Sequence, residues 1–269
     1  MRDLTIIYGI GATKAGTSWL HDALAAHTQV HARAIKELHY WSSEGEDRRA
    51  VIERQMTKAD GTRLDDLRDL ADVMDEPRDV ARYVEYLAKG RGAQSVLIDS
   101  TPVYGTLPAE TLTRMAAAAP VTRFVYLMRD PVARAWSHIR MMAKRSGREL
   151  GQAADALLAK FSRGAAKGIE SRGDYVGTLK RLDVLPQNSV LVMFYEDLMS
   201  QTGFDRVLAF LGLAPMKAPL DVRVLQGASL RLQDDQRSML QQKLAPQYAG
   251  VNARMGRLPD AWHDNWMRT

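Results

Sequence analysis

The sequence predicts a three-layer α/β fold, a central parallel sheet flanked by helices, on three observations. Four short apolar runs, Leu4–Ile10, Ser95–Ile98, Arg123–Met128 and Ser189–Phe194, each give way to polar residues and then to a helix-like stretch, as strands buried on both faces do. The first run passes through a glycine-rich turn straight into a helical stripe. Across 269 residues there is no repeat, low-complexity tract or Pro/Gly/Ser linker, so residues 1–269 are expected to form a single domain.

The elements follow in order. Leu4–Ile10 is rich in β-branched residues, and Gly9, Gly11 and Gly16 mark the turn after it. Leu20, Ala23, Leu24 and His27 then recur at helical spacing, which completes the first half of a βαβ unit. Further helices are predicted at Val80–Lys89, Pro108–Ala118, Val132–Arg145, Tyr175–Leu185, Phe204–Leu211 and Asp234–Tyr248. Pro131 suits a first helical turn, where its missing N–H costs little. The charged stretch Ser42–Asp79 reads as surface helices and loop. In an open parallel sheet, ligands lie outside the carboxyl ends of the strands. Lys14, Asp99, Arg129 and Glu196, which follow the four runs, are therefore expected near one crevice.

Composition narrows the chemistry. Hydrophobic residues at 46% and charged residues at 26% are globular values. The chain has no cysteine, which excludes disulfides, thiolate zinc sites, iron–sulfur clusters and a cysteine nucleophile and suits a cytoplasmic protein. The apolar start is too short for a signal peptide, and no stretch approaches the roughly 18 apolar residues of a transmembrane segment. Lys and Arg number 37 against 32 Asp and Glu, a net charge of +5. They are spread along the chain, an arrangement that serves a nucleotide as well as a nucleic acid. With no helix-turn-helix, zinc finger or aromatic-interleaved basic stripe, a nucleic-acid partner is not expected.

Two segments carry the chemistry. GIGATKAGTSWL joins a strand to a helix, a turn that aims successive N–H groups and the positive helix end at one point and so binds an anion. A Walker loop requires G-x-x-x-x-G-K-[ST]. Gly11 and Gly16 have that separation, but Thr17 follows where the lysine belongs, and the lysine sits earlier, at Lys14. The loop is thus P-loop-like without being an ordinary ATP-binding loop, and Thr17 and Ser18 still offer hydroxyls. Taken alone, the segment also fits a plain glycine turn with a solvated Lys14. In FVYLMRDPVARAWSHIRMM, Arg129 follows the strand and Ser137 lies about two turns into the next helix. An arginine fork and a nearby hydroxyl suit a multi-oxygen anion; an exposed Arg129–Asp130 pair at a helix start is the plainer reading. Arg134, three residues before Ser137, reinforces such a site or is merely surface.

Together the two segments resemble the sulfotransferases that use 3′-phosphoadenosine 5′-phosphosulfate (PAPS). GIGATKAGTSWL is similar to that family's 5′-phosphosulfate loop, and RDPVARAWS to its 3′-phosphate motif. The similarity continues in KELHYW (Lys36–Trp41), DSTPVY (Asp99–Tyr104), RGDYVGTLKRL and VLVMFYEDL with the following FLGL. It touches most of the chain from Ile6 to about Leu213 and lies closer to bacterial and glycan-type members than to the small-phenol enzymes. Beyond Val222 it is loose, and only Gly227–Arg231 matches the place of a late basic loop at the 3′-phosphate.

The resemblance implies sulfuryl transfer from PAPS, leaving 3′-phosphoadenosine 5′-phosphate (PAP), to a small-molecule, lipid or glycan acceptor. It assigns Lys14, Ala15, Gly16, Thr17, Ser18 and Trp19 to the 5′-phosphosulfate end, with the N–H groups from Ala15 to Ser18 on the phosphate, and Arg129 and Ser137 to the 3′-phosphate. Lys14 is placed to meet the oxygen bridging sulfur and phosphorus. KELHYW offers two bases, Glu37 and His39, which share one face if the segment is extended. Glycan-type relatives use a glutamate there, which favours Glu37. His39 has the better ordinary pKa at neutral pH, roughly 6.5 against 4.3. Lys36 is left to the sulfuryl oxygens or an anionic acceptor. Asp99, Ser100, Thr101 and Tyr104 orient a lysine or the acceptor, or Asp99 is a turn residue. Tyr195, Glu196 and Asp197 read as a fold element. Trp41, Trp136 and Tyr175 wall a pocket or belong to the core, and Trp262 and Trp266 pack the tail down or cover the cleft. Acceptor contacts are expected from Ser42–Asp79, Gly147–Arg172 and the tail after Gly227, whose arginines suit an acidic glycan without excluding an amino lipid, a natural product or a peptide tyrosine.

Two other readings remain. A P-loop kinase or NTPase-like enzyme would use Asp99, at the end of VLID, for its metal, but it has no lysine after Gly16 and no use for Arg129 with Ser137. Sulfuryl transfer needs no metal. A non-catalytic nucleotide-binding module would be expected to have lost Lys14 or the KELH segment, and both are present.

Overall fold

The computed structural model describes residues 4–42, 46–75, 79–222 and 229–266. Five parallel strands, β1 (Thr5–Gly11), β2 (Val30–His31), β3 (Val96–Ser100), β4 (Val121–Met128) and β5 (Val190–Phe194), form one sheet in the order β2-β3-β1-β4-β5. β1 is central: Tyr8 pairs with Asp99 on one side and Phe124 on the other. All five residues of β3 and all but the first of β1 are buried, which is why both read as unbroken apolar runs. β2, two residues long, is too short to leave such a run and escapes sequence reading.

Twelve helices flank the sheet among the described residues: α1 (Thr17–Ala25), α2 (Glu46–Met56), α3 (Gly61–Met74), α4 (Val80–Ala88), α5 (Ala109–Ala116), α6 (Pro131–Arg145), α7 (Leu150–Ser162), α8 (Lys167–Ser171), α9 (Tyr175–Leu182), α10 (Tyr195–Leu198), α11 (Gln201–Leu211) and α12 (Asp234–Met255). Among these residues none is long and apolar enough to cross a membrane.

One expectation changes. The Ser42–Asp79 stretch is not only surface, because Ile52, Leu67 and Leu70 are fully buried. Asp66 on α3 is buried too; its carboxylate accepts from Arg33 Nε at 2.8 Å and from the Ile35 N–H at 2.9 Å. That anchors the chain entering Lys36–His39. The Gly147–Arg172 stretch folds into α7 and α8, with Ala154 and Phe161 in the core.

The C-terminal chain closes the structure beside α6. Trp262 is fully buried and meets Phe194, Tyr248 and Tyr175 at centroid distances of 5.1, 5.9 and 6.3 Å, so it packs the tail down. Asp130 caps α6 by accepting from the Ala133 N–H at 2.7 Å. It also accepts from Tyr248 Oη at 2.7 Å and Asn265 Nδ2 at 3.1 Å. The Arg129–Asp130 pair is therefore no exposed pair, because Asp130 is buried. Tyr248 Oη accepts in turn from the Val132 N–H. Tyr248→Phe would strip a partner from both groups and is expected to destabilise the fold by about 1–3 kcal/mol. Urea unfolding of the two proteins measures this, and an unchanged midpoint contradicts it.

Candidate active site

Outside the carboxyl ends of β1 and β4 lies a cleft of about 680 Å³, within the range of small-molecule sites. Two strand-to-helix corners and the Lys36–Trp41 segment build it. At the first corner, Gly16 caps α1 with φ +93°, and a Cβ there would fall 2.5 Å from the Tyr195 ring. Only glycine lets the turn lie on that ring. The Ala15 N–H is used inside the loop, donating to Ala12 O at 3.0 Å, so it leaves the set expected to face an anion. The N–H groups of Gly16, Thr17 and Ser18 belong to the unsatisfied first turn of α1. Lys36 Nζ donates to Ser18 Oγ at 2.6 Å from behind and does not line the cleft. The Trp19 indole, although it borders the cleft, is engaged by Pro219 O at 3.1 Å and by the edge of Phe204.

Lys14 lines the cleft half-buried, with no hydrogen bond or ion pair to a described residue. Burial, followed by the charges of Arg129, Arg140 and Arg145, pushes its pKa down, while Glu37 opposes them. A cation held among cations in a partly desolvated cleft is stabilised by an anion.

At the second corner, Arg129 lays its guanidinium 5.2 Å from the centre of the Tyr195 ring. Its backbone is held at both ends by Tyr175: the N–H donates to Tyr175 Oη, and Tyr175 Oη donates to Arg129 O at 2.6 Å. Ser137 opens onto the same cleft from α6. Arg134 takes neither role expected of it. It is 1% exposed, donates to Ile169 O at 3.1 Å, and contacts His138.

Glu37 and His39 both line the cleft, but not as neighbours on a plain strand. Their φ values are +60° and +62°, and with Lys14 at +71° they are the non-glycine residues in the left-handed region among the described residues. Such conformations cost of order 1–3 kcal/mol each and gather at functional sites. Leu38, between them, is buried. Arg48 on α2 grips the segment, donating to Glu37 O at 2.7 Å and Leu38 O at 3.2 Å, and the Glu37 N–H donates to Ser100 O. The His39 ring pairs with Ser42 Oγ at 3.0 Å. Burial, then Arg48 and Arg172, push its pKa down to about 4, so it is uncharged at neutral pH.

Asp99 and Glu196 do not join Lys14 and Arg129 in the lining. Asp99 turns inward, 1% exposed, and accepts from Thr101 Oγ1 at 2.7 Å, Tyr83 Oη at 2.8 Å and Tyr104 Oη at 3.0 Å. Glu196 accepts from the Asp130 N–H. Trp41, Trp136 and Tyr175 are buried behind the lining. Of the late basic loop, Gly227 and Ala228 lie outside the described residues, and Leu230 O accepts from Trp136 Nε1. Arg140, Met141 and Arg145 of α6 also line the cleft and were missed, whereas Arg172, which lines it too, ends the Gly147–Arg172 stretch expected to contact the acceptor. Arg140 was legible, one turn beyond Ser137 on α6.

A five-stranded parallel sheet with a cleft outside the carboxyl ends of its strands is the α/β arrangement in which ligands bind at the strand ends. The sulfotransferase family model matches residues 7–217, and the chain belongs to that family. The fold is similar to that of a sulfotransferase from Alicyclobacillus acidocaldarius, at 24% identity, TM-score 0.67 and coverage of 96% of this chain and 98% of that one. A sulfotransferase domain of the curacin biosynthetic pathway aligns at 15% identity and TM-score 0.48 over 82% of this chain and 77% of its own. One from the Synechococcus PCC 7002 olefin synthase aligns at 15% and 0.49 over 78% and 73%. No curated protein matches significantly.

The Asp99 cage makes a pH-dependent prediction. Burial pushes its pKa up from 3.8 to about 6, so between these values the folded state binds the proton more than the unfolded state does. Stability contributed by this group is therefore present at low pH and lost as pH rises from about 4 to 6. Asp99→Asn removes the charge, and its stability relative to wild type is expected to rise over that window and level off above it. Urea melts at pH 4, 5, 6 and 7 measure the difference; a constant difference contradicts the assignment.

Proposed function

We propose that the chain, acting as one domain, transfers the sulfuryl group of PAPS to a hydroxyl or amine of a small-molecule, lipid or glycan acceptor. The observation that carries the reading is the position of Lys14, a half-buried cation beside the charges of Arg129, Arg140 and Arg145 with no ion pair to a described residue, in a cleft shared with Arg129 and Ser137. The donor set fits this co-substrate. The first-turn N–H groups of Gly16, Thr17 and Ser18, with the two hydroxyls, suit the 5′-phosphate. The fork of Arg129 and the hydroxyl of Ser137 suit a 3′-phosphate, which separates PAPS from ordinary nucleotides. PAPS supplies a sulfuryl group on a phosphate leaving group.

Lys14 offsets the charge that grows on the bridging oxygen as its bond to sulfur breaks. Glu37 accepts the acceptor's proton as the new bond to sulfur forms. Its backbone, clamped by Arg48 and Ser100, keeps it in the cleft with Lys14. Neutral His39 is the second proton acceptor in reach of the same space. Lys36, behind Ser18, occupies an oxygen lone pair and so turns the Ser18 O–H toward its other neighbours. The cysteine-free chain suits a reducing cytoplasm.

Calorimetric titration with PAP, AMP and ADP tests the donor. Strong preference for PAP, lost in Arg129→Ala, is expected; equal binding of AMP removes the assignment. Lys14→Ala is expected to lower turnover by about 10²–10³ with an unchanged melting temperature, and near-normal turnover would sink the mechanism. Turnover that survives EDTA separates this chemistry from a kinase, which needs Mg²⁺.

A further inference from the structure

The donor site uses Arg129 alone of the four arginines that line the cleft among the described residues, and two of the other three make no side-chain contact that would occupy them. Arg145, at the end of α6, and Arg172, in the loop before α9, line the cleft, and neither side chain makes a hydrogen bond or ion pair with a described residue. Each acts on a group assigned to the reaction: the charge of Arg172 reaches His39, and that of Arg145 reaches Lys14. They share the cleft with Lys14, Glu37 and His39, where the acceptor has to meet Lys14.

The basic surface also runs on past the cleft. Arg145 forms a wall of a second groove, about 310 Å³, between α6 and α7; Arg148 and Lys160 add positive charge to it, and Met142, Ala153 and Leu157 line it. The carboxylates of that segment are engaged elsewhere. Glu149 accepts from the Gly151 and Gln152 N–H groups at the start of α7, and Asp155 accepts from Gln236 Nε2 at 2.8 Å. A nucleotide held between Lys14 and Arg129 leaves this extension unused.

We propose that Arg145 and Arg172 form an oxyanion subsite for the acceptor, so that the group to be sulfated lies beside a carboxylate or phosphate of the same molecule. The proposal rests on the PAPS reading and deepens it. Two guanidinium forks recognise planar or tetrahedral oxyanions through paired hydrogen bonds, and they favour an anionic acceptor over a neutral one of the same shape.

The test uses the full chain saturated with PAP, at one fixed salt concentration. Calorimetry compares galacturonic acid hexamer with its methyl ester, which keeps the hydroxyls and removes the charge, and glucose 6-phosphate with glucose; the two pairs separate carboxylate from phosphate recognition. At least one anion is expected to bind about tenfold tighter than its neutral partner. Arg145→Gln with Arg172→Gln should abolish most of that preference while leaving PAP affinity within about twofold. Lys58→Ala, in a remote basic groove, should change neither. Equal binding within both pairs overturns the proposal. So does a double variant that loses PAP instead of the anion, which would give the arginines to the donor. So does an equal loss in Lys58→Ala, which would make the attraction non-specific. Failure of PAP itself to bind, read in the first titration, overturns the donor reading instead.

Discussion

The pairing of β1 with β4 is the constraint from which the site follows. Neighbouring parallel strands lie about 4.8 Å apart, so the corner after β1 and the corner after β4 have to open side by side. The register shift between Gly9 and Gly11 and the hydrogen bond from Ala12 N–H to Leu127 O at 2.7 Å tie the first corner to the end of its neighbour. Tyr195, immediately after β5, then touches both corners: its ring leaves room only for a glycine at position 16 and supports the Arg129 guanidinium. One aromatic ring thus spaces a loop and a cation that lie over a hundred residues apart.

The cleft is unfavourable for the protein by itself. Lys14 is half-buried among arginines, and Lys14, Glu37 and His39 all hold left-handed backbones. The surrounding structure opposes this locally. Arg48 clamps the carbonyls of Glu37 and Leu38, and Asp66 anchors the approach through Arg33 and Ile35. These contacts fix the backbone that carries Glu37 and His39, so binding does not have to order it.

The polar residues that stay out of the cleft support it. Asp130 joins the start of α6 to Tyr248 on α12 and to Asn265, which fixes the helix that presents Ser137 and Arg145. Asp99 gathers three hydroxyls beneath the strand ends. Arg134, sharing a helix with Ser137, holds the Ile169 carbonyl and so steadies the chain that leads to Arg172. Strong positive charge at the cleft is compatible with a stable fold because these buried groups are each given partners.

By itself the sequence determined the strand-to-helix units, the two corners that open on the cleft and their family likeness, because apolar periodicity, glycine spacing and a short motif depend only on near neighbours in the chain. Pairs such as Lys14 and Arg129 were legible for the same reason, each at the end of an apolar run. The tertiary structure alone decided which way the side chains after each strand turn. Asp99 and Glu196 sit at equivalent sequence positions yet face inward, where hydroxyl and N–H donors solvate them. It also decided that Arg134 is buried, that Ala154 and Phe161 of α7 join the core, and that Arg145 and Arg172 share one cleft with Lys14 and His39. Those outcomes depend on packing between segments far apart in the chain, and no local spacing encodes them.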